Sequence, residues 1–312
     1  MNYAPIIVFL YNRPDKAEKT LNTLKNNTLA AESDIHIFID GAKNDEVKIE
    51  VDKTKKVAYS VTSFKNIKIY ESDKNKGLAD SIISGVTKII NEYGTAIVIE
   101  DDIVTGKHFL EYMNTALEKY KNEKKVWHIT GWHNPTKKIN STDCFFYPLM
   151  DCWSWATWND RWQYFEKNPK KLVNSFNADQ IRAFNVDGLV PNKWNQVLGN
   201  LNGKNNTWAI FWYATILKNH GLCLAPSNSL VRNIGCDNTG VHSKKSENYA
   251  INTSIDNKII NFPKKFSIND FEYNLLKTDY KKRFRFDRIK QFIKKMFFNN
   301  KNPFYKKENK NV

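Results

Sequence analysis

Three consecutive carboxylates, Glu100, Asp101 and Asp102, follow a short apolar run made of Ala96, Ile97, Val98 and Ile99. A mostly β-branched run of this kind suits a strand covered on both faces of a sheet. Carboxylates crowded at the end of such a strand repel one another unless a cation or a hydrogen-bonding ligand neutralises them. Hard oxygen donors suit Mg²⁺ or Mn²⁺, and an enzyme that handles a diphosphate needs such an ion at a strand end. A solvated acidic turn explains this segment, taken by itself, equally well.

Comparable groups recur at other strand ends. Tyr11, Asn12 and Arg13 follow the apolar run 5–10 and open a helix, where backbone N–H groups and a guanidinium meet the phosphates or base of a nucleotide. Asp40 closes the run 35–39; a carboxylate there accepts from a ribose hydroxyl or a base N–H, or serves the turn before Gly41. Lys76 and Gly77 stand just before another helix, the glycine allowing close backbone approach and the lysine reaching a phosphate. Trp153 and Ser154 precede a tryptophan-rich segment and border a pocket in which a flat aromatic face suits a sugar ring. Residues 233–242 join Gly235, Asp237, Gly240 and His242 in one polar loop, a setting that favours metal or phosphate contact by the histidine. Ordinary turns and helix starts explain each piece singly. Their repetition at successive strand ends is what ties them together.

The elements that must hold these groups alternate along the first third of the chain. Strands are predicted at 5–10, 35–39, 67–70 and 96–99, with helices between them at 13–24, 46–61 and 77–90, and a further helix at 107–120. Such alternation argues for a mostly parallel, doubly wound sheet. A strand at 126–131 follows. Beyond it Trp155, Trp158 and Trp162 recur at i, i+3 and i+7, which predicts one buried face of a helix over 158–165. The stretch 167–206 reads as polar, 208–218 as a helix, 222–226 as a short strand and 256–271 as a connector. Three segments are expected: a nucleotide-binding half over 1–125, an acceptor-binding half over 126–262, and a connector with a basic tail over 263–312.

The chain has 312 residues and a net charge of +15. Twelve Lys and Arg against two acids fall between 281 and 312, so +10 of that charge sits in the last tenth of the sequence. There Phe286, Ile289, Ile293, Met296 and Phe297 share one helical face among basic residues. A basic amphipathic helix over 281–297 would lie on an anionic membrane surface, each basic residue contributing roughly 1 kcal/mol. A helix docked on the domain is the alternative. No nucleic-acid module accompanies the tail, so nucleic acid is not expected as a partner. Cys144, Cys152, Cys223 and Cys236 lack the spacing of a zinc or redox site. The first residues lack a secretory pattern, and no run approaches the ~18 apolar residues of a membrane span. A cytoplasmic protein, peripheral on the inner face of the cell membrane, is expected.

Taken in order, these motifs resemble a GT-A glycosyltransferase, close to bacterial family-2-like sugar transferases and more distantly similar to the N-acetylglucosaminyltransferase I type. The resemblance rests on residues 5–13, 38–41, 75–78, 98–102, 153–158, 208–213 and 233–242. It implies an α/β, Rossmann-like sheet flanked by helices, and a metal-dependent, inverting transfer of a sugar from a nucleotide-sugar, UDP-linked, to a surface glycan or lipid-linked acceptor. Glu100 and Asp101 would join Tyr11, Asn12, Arg13, Asp40, Lys76, Gly77, Trp153 and Ser154 in holding the donor. Asp102 would contact Mn²⁺ or Mg²⁺, and His242 would complete the metal or phosphate shell. Where the resemblance leads one to expect an acid before Trp208, the chain has Asn205, Asn206 and Thr207, and an amide is no base at neutral pH. Asp151, Asp160 and Asp237 remain as candidates for the base. A nucleotidyltransferase of sugar activation and a non-catalytic membrane- or polyanion-binding protein are the competing readings. The former would carry a Gly-rich phosphate loop where Tyr11, Asn12, Arg13 and Pro14 stand.

Overall fold

The computed structural model of the protein describes residues 3–133, 143–235 and 254–285. In chain order the first half runs β1 (Ile6–Leu10), α1 (Pro14–Lys25), β2 (Asp34–Ile39), α2 (Asp45–Tyr59), β3 (Asn66–Glu71), α3 (Leu78–Tyr93), β4 (Thr95–Glu100), β5 (Ile103–Thr105) and α4 (Phe109–Tyr120). The second half runs β6 (Val126–Thr130), β7 (Cys144–Tyr147), β8 (Trp155–Trp158), α5 (Asn159–Trp162), α6 (Pro169–Ser175), α7 (Ala178–Phe184), α8 (Asn192–Leu201), α9 (Ala209–Lys218), β9 (Leu222–Pro226) and β10 (Val231–Asn233). Helix α10 (Asp270–Arg283) follows.

Eight strands form one sheet in the order β3-β2-β1-β4-β8-β6-β9-β7. β1 pairs in parallel with β2 and β4, and β2 with β3, so their carboxyl ends share one rim. β8 is inserted antiparallel between β4 and β6, which starts β8 at that same rim. The sheet therefore continues unbroken across residue 125.

Side chains alternate between two cores, one on each face, as the period of a strand requires. Ile7, Phe9 and Val98 face α3 and the tryptophans, whereas Ile6, Val8, Leu10, Ile97 and Ile99 face α1 and α4. The expectation of a tryptophan-faced helix fails here. Trp155 and Trp158 lie in β8, and an odd separation along a strand sends them to opposite cores. Only Trp162 belongs to a helix, a single turn.

The stretch 167–206 also differs from its polar reading, for it contains α6, α7 and α8. Asn168 caps α6 by accepting from Lys171 N, and Asn177 forms a reciprocal capping box with Gln180. Phe176, Phe184 and Trp194 pack together beneath them. Two of these helices have seven residues each, too few to show a periodic apolar pattern.

Helix α10 begins inside the expected connector and docks through Leu276, Tyr273, Tyr280 and Phe284 onto the tryptophan-rich core. Most of the predicted membrane helix, from 286 onward, lies outside the described residues. Among the described residues, no helix is long and apolar enough to cross a membrane. Cys144, Cys152 and Cys223 are free thiols, and Cys236 lies outside the described residues.

Candidate functional site

The carboxyl rim of β1, β2 and β4 gathers most of the groups singled out above. Phe9 is in register with Glu100, so the chain leaving β1 reaches Arg13 beside the acids that follow β4. Arg13 Nε donates to Asp101 Oδ2 at 3.1 Å, its Nη2 pairs with Asp101 Oδ1, and the same Nη2 lies 3.0 Å from Asp102 Oδ2. The third nitrogen, Nη1, is buried and has no partner among the described residues. Thr20 of α1 donates to the Asp101 carbonyl at 2.8 Å and ties the acidic turn to that helix.

Electrostatics of this corner follow from burial first and charge second. Burial pushes Glu100 up to about 8, and the neighbouring Asp102 and Asp101 add to the rise. Asp101 is pushed up to about 6 by burial, against the pull of Arg13. Burial also works against the Arg13 charge, yet the two aspartates outweigh it and hold the guanidinium more firmly protonated than usual.

Strand β10 pairs antiparallel with β5 and delivers the later loop to the same corner. Ile234 N donates to the Asp102 carbonyl at 2.8 Å, and Lys16 Nζ donates to the Ile234 carbonyl at 2.5 Å. A Cβ on Gly235 would overlap the Asp102 carboxylate, so only glycine lets the loop pass so close. Asp237 and His242 continue this loop outside the described residues.

Asp40 serves the turn before Gly41, one of the two tasks expected of it. Its Oδ1 accepts from Gly41 N at 3.0 Å and Lys76 N at 2.9 Å; its Oδ2 accepts from Gly77 N at 2.9 Å and Asn75 Nδ2 at 3.1 Å. A carboxylate offers about four acceptor positions, and these four donors occupy them. Asp40 thus also clamps residues 75–77 at the start of α3, where Gly77 takes φ +78°. Lys76 is thereby held at the rim with its side chain exposed. Tyr11 spans the first two strand ends, its hydroxyl accepting from Lys43 N at 3.3 Å, and Asn12 is half-buried beside it.

Trp153 and Ser154 also reach this rim, immediately before β8. Trp153 meets Trp132 edge-on, with ring centroids 4.7 Å apart. Ser154 is fully buried at φ +62°, and its Oγ has no partner among the described residues. Asp151 lies just upstream, its carboxylate accepting from the Tyr147 hydroxyl at 2.7 Å. Burial raises the Asp151 carboxyl above the ordinary range, opposed by the Tyr147 bond and by Lys193.

Asp160 is not brought to this site. It follows β8, whose end pairs with Thr95 at the amino end of β4, on the opposite rim. There Asp160 pairs with Lys124 and Arg161. Asp80, in the first turn of α3, drew no attention in the sequence because acids are common in first turns. The structure sets it beside Lys167 (3.4 Å) and Asn206 (3.4 Å).

Among the described residues, no three His, Cys, Asp or Glu converge as a closed metal site. The donor chemistry fits an ion nevertheless. Ions of the Mg²⁺ type are commonly held by one or two carboxylates and complete their shell with phosphate and water oxygens. Asp101 and Asp102 offer that pair, and the unpartnered Arg13 Nη1 beside them offers a donor to a phosphate oxygen.

A mixed, mostly parallel sheet flanked by helices, with an acidic turn at its carboxyl rim, is consistent with the GT-A architecture of glycosyltransferases. The chain belongs to the family described as glycosyl transferase family 2, whose profile matches residues 6–189. Among solved structures it is similar to the crystal structure of S. aureus TarS, at 15% identity and a TM-score of 0.30. That alignment covers 42% of this chain and 21% of TarS, so the chain spans about a fifth of that protein. No curated protein matches the sequence. The match is to family 2, and none of these comparisons points to the N-acetylglucosaminyltransferase I type.

Proposed function

We propose that this family-2 glycosyltransferase takes its sugar from a UDP-linked donor, with Mn²⁺ or Mg²⁺, and passes it with inversion to a surface glycan or lipid-linked acceptor. One observation carries the reading: Arg13 bridges Asp101 and Asp102 at the shared carboxyl rim and keeps a buried nitrogen that has no partner among the described residues. Open α/β sheets bind ligands at this rim. A dinegative diphosphate would satisfy the spare donor, and a divalent cation bound with it would relieve the crowding of three acids. A bound divalent ion would neutralise charge on the departing diphosphate. Arg13 would orient the diphosphate, and the clamp from Asp40 would fix residues 75–77 and the start of α3 against the nucleotide. Trp153 and Trp132 supply an aromatic wall suited to a sugar face.

The same reading includes attachment to the inner face of the cell membrane through 281–297, supported by the +10 charge of the last 32 residues. A hydrolysis screen tests the central reaction, using UDP-glucose, UDP-galactose, UDP-N-acetylglucosamine, GDP-mannose and TDP-rhamnose, each with and without Mn²⁺. Metal-stimulated release of a nucleoside diphosphate from at least one UDP-sugar is expected. No turnover and no binding of any donor would overturn the proposal. Sedimentation with phosphatidylglycerol vesicles, comparing the full chain with a version ending at residue 285, beyond the docked α10, tests the tail; equal binding would overturn that part.

A further inference from the structure

Transfer with inversion needs a base that takes a proton from the acceptor hydroxyl as the sugar is displaced. Most carboxylates at the carboxyl rim are already committed. Asp40 has its acceptor positions filled, Asp101 and Asp102 are held by Arg13, and Asp151 is bonded to Tyr147. Glu71 ends the edge strand β3, with three strands between it and the second half of the fold, and Asp73 follows it there.

Asp80 differs in position and in company. It lies three residues beyond Gly77, whose N–H is fixed by Asp40, and so its backbone is anchored to the donor side of the rim. Its side chain is 55% exposed. Its partners come from the second half of the fold: Lys167 Nζ at 3.4 Å from Oδ1, and Asn206 Nδ2 at 3.4 Å from Oδ2. Lys167 also pairs with Asn206 Oδ1, which closes a three-residue ring across α3, the loop before α6 and the loop before α9. A carboxylate oriented by two donors from the acceptor half, yet open to solvent, is placed as a base must be.

Resting on the reading of the protein as an inverting transferase, we infer that Asp80 is the general base. The acceptor O–H proton passes to Asp80, the acceptor oxygen bonds to the sugar's anomeric carbon, and the bond from that carbon to the diphosphate oxygen breaks. The nucleoside diphosphate leaves with the electron pair. Lys167 and Asn206 are positioning residues that hold the carboxylate where residues of the two halves meet.

The test uses the full chain and whichever UDP-sugar the screen shows to be hydrolysed, water serving as acceptor. Asp80→Asn should lower kcat by ~10²–10⁴-fold, the usual contribution of a general base. Donor affinity, measured by calorimetric titration of UDP with Mn²⁺, should stay within about twofold. Asp80→Ala supplied with azide, a nucleophile with no proton to lose, should form the glycosyl azide at about the wild-type rate. Placing the acid on the neighbouring loop, in the double variant Asp80→Asn with Asn206→Asp, should recover at least about tenfold of the lost rate. Wild-type-like hydrolysis by Asp80→Asn overturns the assignment, as does loss of azide transfer together with hydrolysis. A wild-type protein inactive on every donor removes the transferase reading itself and this inference with it.

Discussion

Lowering the pH from about 7.5 to about 5 puts a proton within reach of His128, a β6 residue fully buried between Trp155 and Trp212. Its Nδ1 accepts from the Trp212 indole N–H at 3.2 Å, and its Nε2 donates to the Asp151 carbonyl at 3.0 Å. Only a neutral imidazole with its hydrogen on Nε2 satisfies both. A proton on Nδ1 would point straight at the indole N–H. Burial accordingly depresses the pKa from 6.5 to about 3, the bond to the Asp151 carbonyl opposing it only in part. Because the folded value is the lower one, the unfolded chain binds more protons between these limits, and stability falls as the pH falls through them. At about pH 5, roughly 1.5 pH units below the unfolded value, the cost is about 2 kcal/mol.

Buried carboxyls with raised values, Asp151 among them, push stability the other way on acidification, so the wild-type curve alone mixes signs. The difference between wild type and His128→Gln isolates the histidine. Urea unfolding followed by tryptophan fluorescence should show the wild-type advantage shrinking by about 2 kcal/mol between about pH 7.5 and about pH 5. An advantage that stays constant within about 0.5 kcal/mol across that range would refute the argument from burial and tautomer.

Other substitutions probe the supports of the rim. Arg161, only 2% exposed, donates to the carbonyls of Tyr120, Lys121, Glu123 and Val126, so Arg161→Leu should cost about 3–5 kcal/mol in urea unfolding. Its neighbour Asp160, 40% exposed, is the counter-ion of that buried guanidinium, so Asp160→Asn should cost about 1–3 kcal/mol and leave donor turnover unchanged; a large loss of turnover would return Asp160 to the site. Asp40→Ala strands four donors and should lower stability by about 2–4 kcal/mol while opening the 72–78 loop to limited proteolysis. Gly235→Ala would drive a methyl group into the Asp102 carboxylate, and weaker UDP binding by about tenfold or more should follow with little change in thermal midpoint.

The parallel core was legible because its strands are continuous apolar runs and its helices are long enough to show their period. β9 was read with its observed bounds, 222–226, and β1 to β4 were each placed to within a residue or two. Failures came where length or context defeats periodicity. Trp155, Trp158 and Trp162 have helical spacing, yet pairing of β8 with β4 and β6 decides their conformation. The acidic turn and Arg13 were read from strand-end position alone, and the fold brought them into contact. Nothing local announced that Asp40 would spend its oxygens on residues 75–77, or that Asp80 would meet residues 87 and 126 positions away; only tertiary structure creates those pairs.

The acidic turn as the anchor for a metal-bound diphosphate is the centre of the account. Calorimetric titration of UDP into wild type and Asp102→Asn, each with and without Mn²⁺, examines it with no need to know the sugar or the acceptor. Mn²⁺ should tighten UDP binding to the wild type by about tenfold or more and leave the variant's affinity unchanged. Equal affinity with and without Mn²⁺ in the wild type, or the same Mn²⁺ effect in Asp102→Asn, would contradict it.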